Sequence, residues 1–148
     1  MFGSLLVPLD GSDHALLALD LAVQLASGDA PKIHLITVPE VPPTAEEMAR
    51  WAGASPATNQ TDVEKEAQAL LDKAKADIEA KAREKNIEID ASVAWSPPAV
   101  AITSAAEELG VEAIVMGSRG LGEFKSLLLG SVSHKVLHTA ECRVILIR

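Results

Sequence analysis

Three glycines near the C-terminus have the spacing of a phosphate-binding loop. Gly117 ends the apolar run AIVM, Gly120 follows in the same loop, and Gly130 precedes Ser131 at the start of a helical pattern. Glycine lets a ligand approach main-chain atoms closely, and the N–H groups at a helix N-terminus attract anions. The pattern therefore predicts a cradle for a phosphate chain. The competing interpretation is a plain loop that packs closely on a sheet.

Two charged residues belong to this predicted site. Asp10 follows an apolar run near the N-terminus, and Arg119 lies inside the glycine-bearing loop. The Asp10 carboxylate can accept hydrogen bonds from hydroxyl groups of a ligand or lie near a phosphate-bound Mg²⁺. Alternatively, it serves only as a turn and cap residue beside Gly11 and Ser12. Arg119 adds a local positive charge to the site. The alternative, which applies to Lys125 as well, is a solvated charge in the loop.

The sequence lacks the common catalytic patterns. It contains neither a GxSxG elbow nor a Walker GxxxxGKS/T motif. Cys142, the single cysteine, begins an apolar strand, where we expect a packed and inert thiol. His134 and His138 are four residues apart and can share a helix face and a metal ion, but ordinary histidines are the favoured interpretation. We therefore expect ligand binding without catalytic residues, and slow hydrolysis of the ligand is the weaker alternative.

Length and composition restrict the class of protein. The chain has 148 residues, of which 48% are hydrophobic, and a formal net charge of −8, so we expect residues 1–148 to form one domain. An acidic chain is a poor candidate for non-specific nucleic-acid binding, which depends on Lys and Arg. No apolar run approaches about 18 residues, so no membrane span is predicted. The single cysteine and the lack of a charged leader favour the cytoplasm.

Strand and helix patterns alternate along the chain. Strands are predicted at 4–9, 32–38, 88–95, 111–116 and 142–147. Helices are predicted from 13 to a cap at Gly28 and at 63–86, 99–109 and 131–140, with Ser12 as the N-cap of the first and Gly110 as the C-cap of the third. This order predicts an open parallel sheet with helices on both faces, a three-layer α/β fold. Ligands bind such sheets beyond the carboxyl ends of the strands, where the strand order reverses. Asp10 and Gly117 meet at that point if strands one and four are neighbours.

The segment at 39–62 contains four prolines and keeps neither the helix period nor the strand period. We expect a loop that is long enough to suggest a function or mobility, with a short helical turn at 45–51. Trp51 in this loop could cover a bound ligand, although a local apolar anchor is the favoured interpretation.

The glycine motif, Gly117-x2-Gly120-x9-Gly130-Ser131, resembles the nucleotide-binding signature of the universal stress protein family. The opening VPLDGS, the strand VEAIVMGSRG, the segment LLLGSVSHKVL and the ending CRVILIR resemble other landmarks of the family. The resemblance covers nearly the whole chain and implies a five-stranded sheet in the order 3-2-1-4-5. The chain departs from the family at Ser96 or Pro97, where a glycine is frequent, and at Arg143, where a proline is frequent.

The resemblance also implies a ligand, ATP, either alone or with Mg²⁺. It implies that adenine and ribose contact Pro8, Asp10, Val38 and Met116, and that the phosphates lie over Gly117, Arg119, Gly120, Gly130, Ser131, Val132 and Ser133. The first turn of the last helix would supply N–H groups to the phosphates, and its two serine hydroxyls can donate to phosphate oxygens. ADP, AMP and cyclic nucleotides remain open alternatives.

Members of this family usually dimerise, commonly through their last strands, which implies a homodimer through Arg143–Ile147. The favoured hypothesis is an ATP-binding stress-response regulator whose bound nucleotide tunes a dimer surface or a surface for an unidentified protein partner. The alternative is a nucleotide-independent dimeric interaction module, because the apolar terminal strand offers an edge for pairing. An enzyme that uses ATP is the least favoured hypothesis.

Overall fold

The structure of the chain, a computed structural model, describes residues 1–39, 60–120 and 129–148. Its strands are β1 Ser4–Pro8, β2 Lys32–Thr37, β3 Glu88–Val93, β4 Ala113–Gly117 and β5 Arg143–Ile147. Its described helices are α1 Asp13–Leu25, α2 Gln60–Glu84, α3 Pro98–Leu109 and α4 Ser131–Thr139. The helical turn predicted at 45–51, Trp51 and Lys125 lie outside the described residues.

The sheet is parallel, and its strand order is β3-β2-β1-β4-β5. This order confirms the predicted one. Strand β1 lies between β2 and β4, with Leu5 paired to Ala113 in register. The chain runs outward from β1 to β3 in one direction and from β4 to β5 in the other. The strand order therefore reverses between β1 and β4, and the loops that follow these two strands leave the same edge of the sheet.

The central strands are apolar on both faces because helices cover both faces. Val7 of β1 and Val115 of β4 belong to the core beneath α1 and α2, and both are fully buried. Leu6 and Ile114 alternate with them and belong to the core beneath α3 and α4. Because both faces of the sheet are buried, the register between β1 and β4 is fixed. A shift of one residue would turn every side chain of the shifted strand to the opposite face.

The predicted caps at two helix ends are confirmed. The hydroxyl of Ser12 accepts a hydrogen bond from the N–H of Ala15 at 3.2 Å and so caps the start of α1. Gly110 ends α3 in the left-handed conformation with φ 64°, which glycine adopts at little cost. Pro98 occupies the first turn of α3, where its missing N–H costs no helical hydrogen bond.

The cap predicted for α1 at Gly28 is wrong. Helix α1 ends at Leu25, and Ala26 caps it in an extended conformation. The reason lies far away in the sequence: Phe2 forms a parallel bridge with Ala26 and donates its N–H to the carbonyl of Leu25 at 3.2 Å. Ser27 in turn donates to the carbonyl of Phe2 at 2.9 Å. The N-terminal segment thus draws the chain out of the helix before Gly28.

Helix α2 begins at Gln60, inside the segment that was predicted as a loop up to residue 62. Its first turn contains Asp62, and a carboxylate at that position is stabilised by the helix dipole. Although α2 has 25 residues, neither it nor any other helix within the described ranges is both long and apolar enough to cross a membrane.

Candidate functional site

A cleft of about 930 Å³ opens at the carboxyl edge of the sheet. Its volume is at the upper end of the range of about 300–1,000 Å³ that is usual for ligand sites. Every residue predicted to bind a nucleotide lines this cleft: Pro8, Asp10, Val38, Met116, Gly117, Arg119, Gly120, Gly130, Ser131, Val132 and Ser133. Residues from both ends of the chain are brought together because β1 and β4 are neighbours.

The start of α4 forms part of the cleft wall. Gly130 precedes the helix with φ −72° and ψ 165° and donates its N–H to the carbonyl of Ser118 at 2.6 Å. This hydrogen bond ties the returning loop to the residue that follows β4. Since Gly130 has no side chain, the N–H groups in the first turn of α4 receive no capping oxygen from it. This is the helix end that the sequence predicted as an anion site.

Ser133 departs from the prediction. Its side chain is only 3% exposed, and its hydroxyl donates to the carbonyl of Gly117 at 2.8 Å. A hydroxyl has one hydrogen to donate, so in this conformation it is not donated to a phosphate. Ser133 instead joins α4 to the end of β4, which fixes the helix start against the strand. Ser131 is exposed at the mouth of the cleft.

Asp10 has the turn role, one of the two roles considered from the sequence. One carboxylate oxygen accepts a hydrogen bond from the N–H of Ser12 at 2.9 Å, which closes the turn after β1. Gly11 in this turn has φ 85°, a conformation that favours glycine. The other carboxylate oxygen faces Gly120, where an added Cβ would lie 2.5 Å from it. Gly120 thus allows the glycine loop to approach Asp10 closely.

Arg119 contacts a residue that the motif did not reveal. Its guanidinium Nη2 lies 3.3 Å from Nε2 of His14, in the first turn of α1. The two residues are 105 positions apart. No sequence pattern paired them, because the contact depends on α1 packing against the end of β4.

The rest of the cleft wall is largely apolar. Besides Val38 and Met116 it is lined by residues that sequence reasoning missed, namely Leu9, Ile36, Thr37, Pro39, Val63, Glu66, Ala67, Leu70, Pro98 and Ile102. Four of these belong to α2. An apolar wall of this kind suits the faces of a flat base.

The charges on the cleft wall are few. Among the described lining residues, Asp10 and Glu66 are acidic and Arg119 is basic. A polyanionic ligand would therefore be held mainly by main-chain N–H groups and the one guanidinium. The two carboxylates would repel the negative charge of such a ligand.

The histidines of α4 share a helix face as predicted. The rings of His134 and His138 meet edge to face with centroids 4.5 Å apart. Within the described residues, no group of three or more His, Cys, Asp or Glu side chains could hold a metal ion. Cys142 is a half-buried free thiol one residue before β5.

Relatives are found across the whole chain. A universal stress protein of Bacillus subtilis, YxiE, is 35% identical over 152 residues, and the alignment covers 100% of both chains. A universal stress protein of Thermus aquaticus, from the QAH/OAS sulfhydrylase 3′ region, is 36% identical over 149 residues, again with 100% of both chains covered.

Solved structures share the fold. A universal stress protein in complex with cAMP has a TM-score of 0.69 at 23% identity, with 99% of this chain and 97% of that chain covered. A family protein from Arabidopsis thaliana with AMP bound scores 0.63 at 19% identity, covering 97% and 90%. The protein from Archaeoglobus fulgidus in complex with dAMP scores 0.61 at 21% identity, covering 98% and 97%. At identities this low, the TM-scores show that these proteins share a common fold with this chain.

The family model described as "Universal stress protein family" matches residues 1–148. The match has the same extent as the alignments with the bacterial relatives, and the parallel sheet has the strand order expected from the motif. The chain belongs to the universal stress protein family.

Proposed function

We propose that residues 1–148 form a single cytoplasmic domain that binds ATP in the cleft at the carboxyl edge of the sheet and acts as a stress-response regulator. The observation that supports this most strongly is the convergence of the whole predicted residue set on one cleft. Adenine and ribose would occupy the end near Val38, Met116 and Pro8. The phosphates would lie over the glycine loop and the start of α4, where N–H groups attract anions.

The solved relatives support an adenine ligand. They hold cAMP, AMP and dAMP, which share an adenine base and carry one phosphate group each. The number of phosphates preferred by this chain is therefore the part of the proposal that most needs a test. ADP, AMP and cyclic nucleotides are the competitors of ATP in that test.

Charge supports ATP entering with Mg²⁺ rather than alone. Among the described residues, the cleft offers one guanidinium, from Arg119, against the carboxylates of Asp10 and Glu66. A bare triphosphate would add several negative charges to this balance, and a bound divalent cation would offset part of them. The Asp10 carboxylate is an oxygen ligand of the type that Mg²⁺ accepts, so it would lie near the phosphate-bound ion.

Regulation would follow from the glycine loop. Nucleotide contacts at Gly117, Gly120 and the start of α4 would bias a homodimer or a surface for a protein partner. A ligand shifts such an equilibrium only as far as it binds the two states differently. The proposed dimer contact is the edge of β5, Arg143–Ile147, which continues directly from the β4 side of the cleft.

The deciding measurement is thermal unfolding of nucleotide-free protein with and without ATP and Mg²⁺. Ligand at 100 times its dissociation constant stabilises a fold by about 2.7 kcal/mol, which corresponds to a rise in midpoint of about 5–10 °C at this size. The Gly130→Val variant places a branched side chain on the wall of the cleft and should lose this rise. Ser104→Val, on an exposed position of α3 outside the cleft, is the matched control and should keep it.

Two outcomes would contradict the proposal. If Gly130→Val bound ATP as tightly as the parent, the phosphate position would be wrong. If the nucleotide-free parent were not stabilised by any adenine nucleotide, the proposed function would fail as a whole.

The second candidate is a nucleotide-independent dimeric module. It is favoured by β5, whose apolar residues at 144–147 are only half-buried while the strand pairs with β4 on one side. Slow ATP hydrolysis is a third candidate. Phosphate release no faster than in a protein-free control would remove it.

A further inference from the structure

We infer that His14 is a positioning residue for Arg119: it holds the guanidinium at the phosphate end of the cleft and thereby favours phosphate-bearing ligands over the bare nucleoside. The inference rests on the proposed function, because the cleft must bind an adenine nucleotide for the effect to be measured. It concerns a side chain that does not line the cleft itself and that the glycine motif does not include.

The position of His14 is fixed by backbone packing. A Cβ added at Gly117 would lie 2.6 Å from the Cβ of His14 and 2.9 Å from its carbonyl carbon. The first turn of α1 therefore lies directly on the end of β4, and glycine is what allows this approach. Ser12 caps the same turn with a hydrogen bond to Ala15. The Cβ atom that carries the imidazole ring thus has little freedom to move.

The hydrogen bond between the two residues has one direction. A guanidinium can only donate, so Nε2 of His14 must accept from Nη2 of Arg119, across 3.3 Å. The ring proton must then be on Nδ1. That atom is buried and has no hydrogen-bond partner among the described residues. The ring therefore presents one usable nitrogen, and this nitrogen faces Arg119.

The consequence concerns the entropy of binding. An arginine side chain has many rotamers, and a ligand that immobilises them loses affinity for doing so. His14 holds the guanidinium before the ligand arrives, so less freedom is lost when a phosphate binds. A ligand without phosphate makes no use of Arg119 and should not be affected by His14.

The test compares the dissociation constants of ATP with Mg²⁺, AMP and adenosine for nucleotide-free parent and variants. His14→Phe keeps a ring but removes the acceptor, and His14→Gln places an amide oxygen near the former position of Nε2. We expect His14→Phe to weaken ATP and AMP by about three- to tenfold while adenosine stays within about twofold. We expect His14→Gln to restore most of the loss. His14→Asn, which is too short to reach Arg119, replaces the Phe variant if the larger ring prevents folding.

A double-mutant cycle separates positioning from a structural role. In an Arg119→Gln background, His14→Phe should cause no further loss of AMP affinity. If His14→Phe weakened adenosine binding as much as AMP binding, His14 would act through the fold and the inference would be overturned. The same conclusion would follow if His14→Phe weakened AMP binding as much in the Arg119→Gln background as in the parent. Unchanged AMP affinity in the Phe variant would overturn it while leaving the proposed function intact. If the parent bound none of the three ligands, the proposed function would fail first and the inference with it.

Discussion

His14 and Gly117 are in direct contact across the junction of α1 and β4. A Cβ built on Gly117 would lie 2.6 Å from the Cβ of His14, closer than two carbon side chains can pack. The glycine that begins the nucleotide motif therefore has a structural function as well. It lets the helix that follows β1 rest on the end of β4, which is the arrangement that forms the cleft.

The first prediction concerns Gly117→Ala. The neighbours of the new methyl group include backbone atoms of His14 and Ala15, which cannot turn away as a flexible side chain can. Overpacking of this kind costs about 1–3 kcal/mol, so we expect the urea midpoint to fall with an unchanged slope. An unfolding free energy equal to that of the parent would show that α1 can shift without cost.

The second prediction concerns Gly120→Ala, the matched change three residues later. Its methyl group would meet the Oδ2 atom of Asp10, with the next nearest atom of that carboxylate 3.8 Å away. Because Asp10 is exposed, its carboxylate can move, and we expect stability to stay within about 0.5 kcal/mol of the parent. The displaced carboxylate should nevertheless weaken binding of ATP with Mg²⁺, measured by calorimetry. Unchanged affinity would contradict a ligand role for Asp10.

Much of the fold could be predicted because its signals are local. The apolar runs, the cap at Ser12 and the left-handed Gly110 each depend on residues within a few positions, and each agrees with the structure. The strand order came from the resemblance carried by the glycine motif, and the structure confirms it. The residue set of the cleft was also implied by the resemblance, and this strand order brings much of it together because it places the ends of β1 and β4 side by side.

Two features that the sequence did not reveal depend on distant contacts. Helix α1 ends before Gly28 because Phe2 pairs with Ala26, and no local pattern contains that bridge. The contact between His14 and Arg119 joins residues 105 positions apart. The early start of α2 was missed because its first turn is polar and adds no apolar stripe to the pattern.

The third prediction concerns pH and the ion pair between α1 and α2. Asp20 accepts a hydrogen bond from Lys81 at 2.7 Å, and this hydrogen bond lowers the pKa of Asp20 below its usual value. A carboxyl group whose pKa is lower in the folded state stabilises the fold above its unfolded pKa, near pH 4. The contribution is lost as the pH falls through the folded pKa.

The measurement is the unfolding free energy of the parent and of Asp20→Asn at neutral pH and near pH 2.5. Since the Asp20 side chain is 46% exposed, solvent screens the pair, and we expect a loss of less than about 1 kcal/mol at neutral pH. The difference should shrink in acid. Lys81→Gln in the Asp20→Asn background should cause little further loss of unfolding free energy. If the difference in unfolding free energy between the parent and Asp20→Asn grew in acid, the stabilising role of the ion pair would be contradicted.

The fourth prediction concerns the free edge of β5 and the proposed dimer. The carbonyl of Ile147 accepts from the N–H of Ser118 at 2.8 Å, so Ile147 directs its main-chain groups toward β4. Alternate residues of a strand direct theirs to opposite edges, which places the N–H groups of Val144 and Leu146 at the free edge. An antiparallel partner strand would have to bond to these groups.

Proline at the free-edge position tests this contact, because it removes a main-chain donor that makes no bond in the sheet formed by the described residues. We expect Val144→Pro to keep the circular dichroism of the parent and to change a dimer into a monomer by light scattering at micromolar concentration. Ile145→Pro is the contrasting control: its N–H faces β4, so this change should lower stability. A parent that is monomeric would refute the dimer, and a Val144→Pro protein that stays dimeric would place the contact elsewhere than on β5.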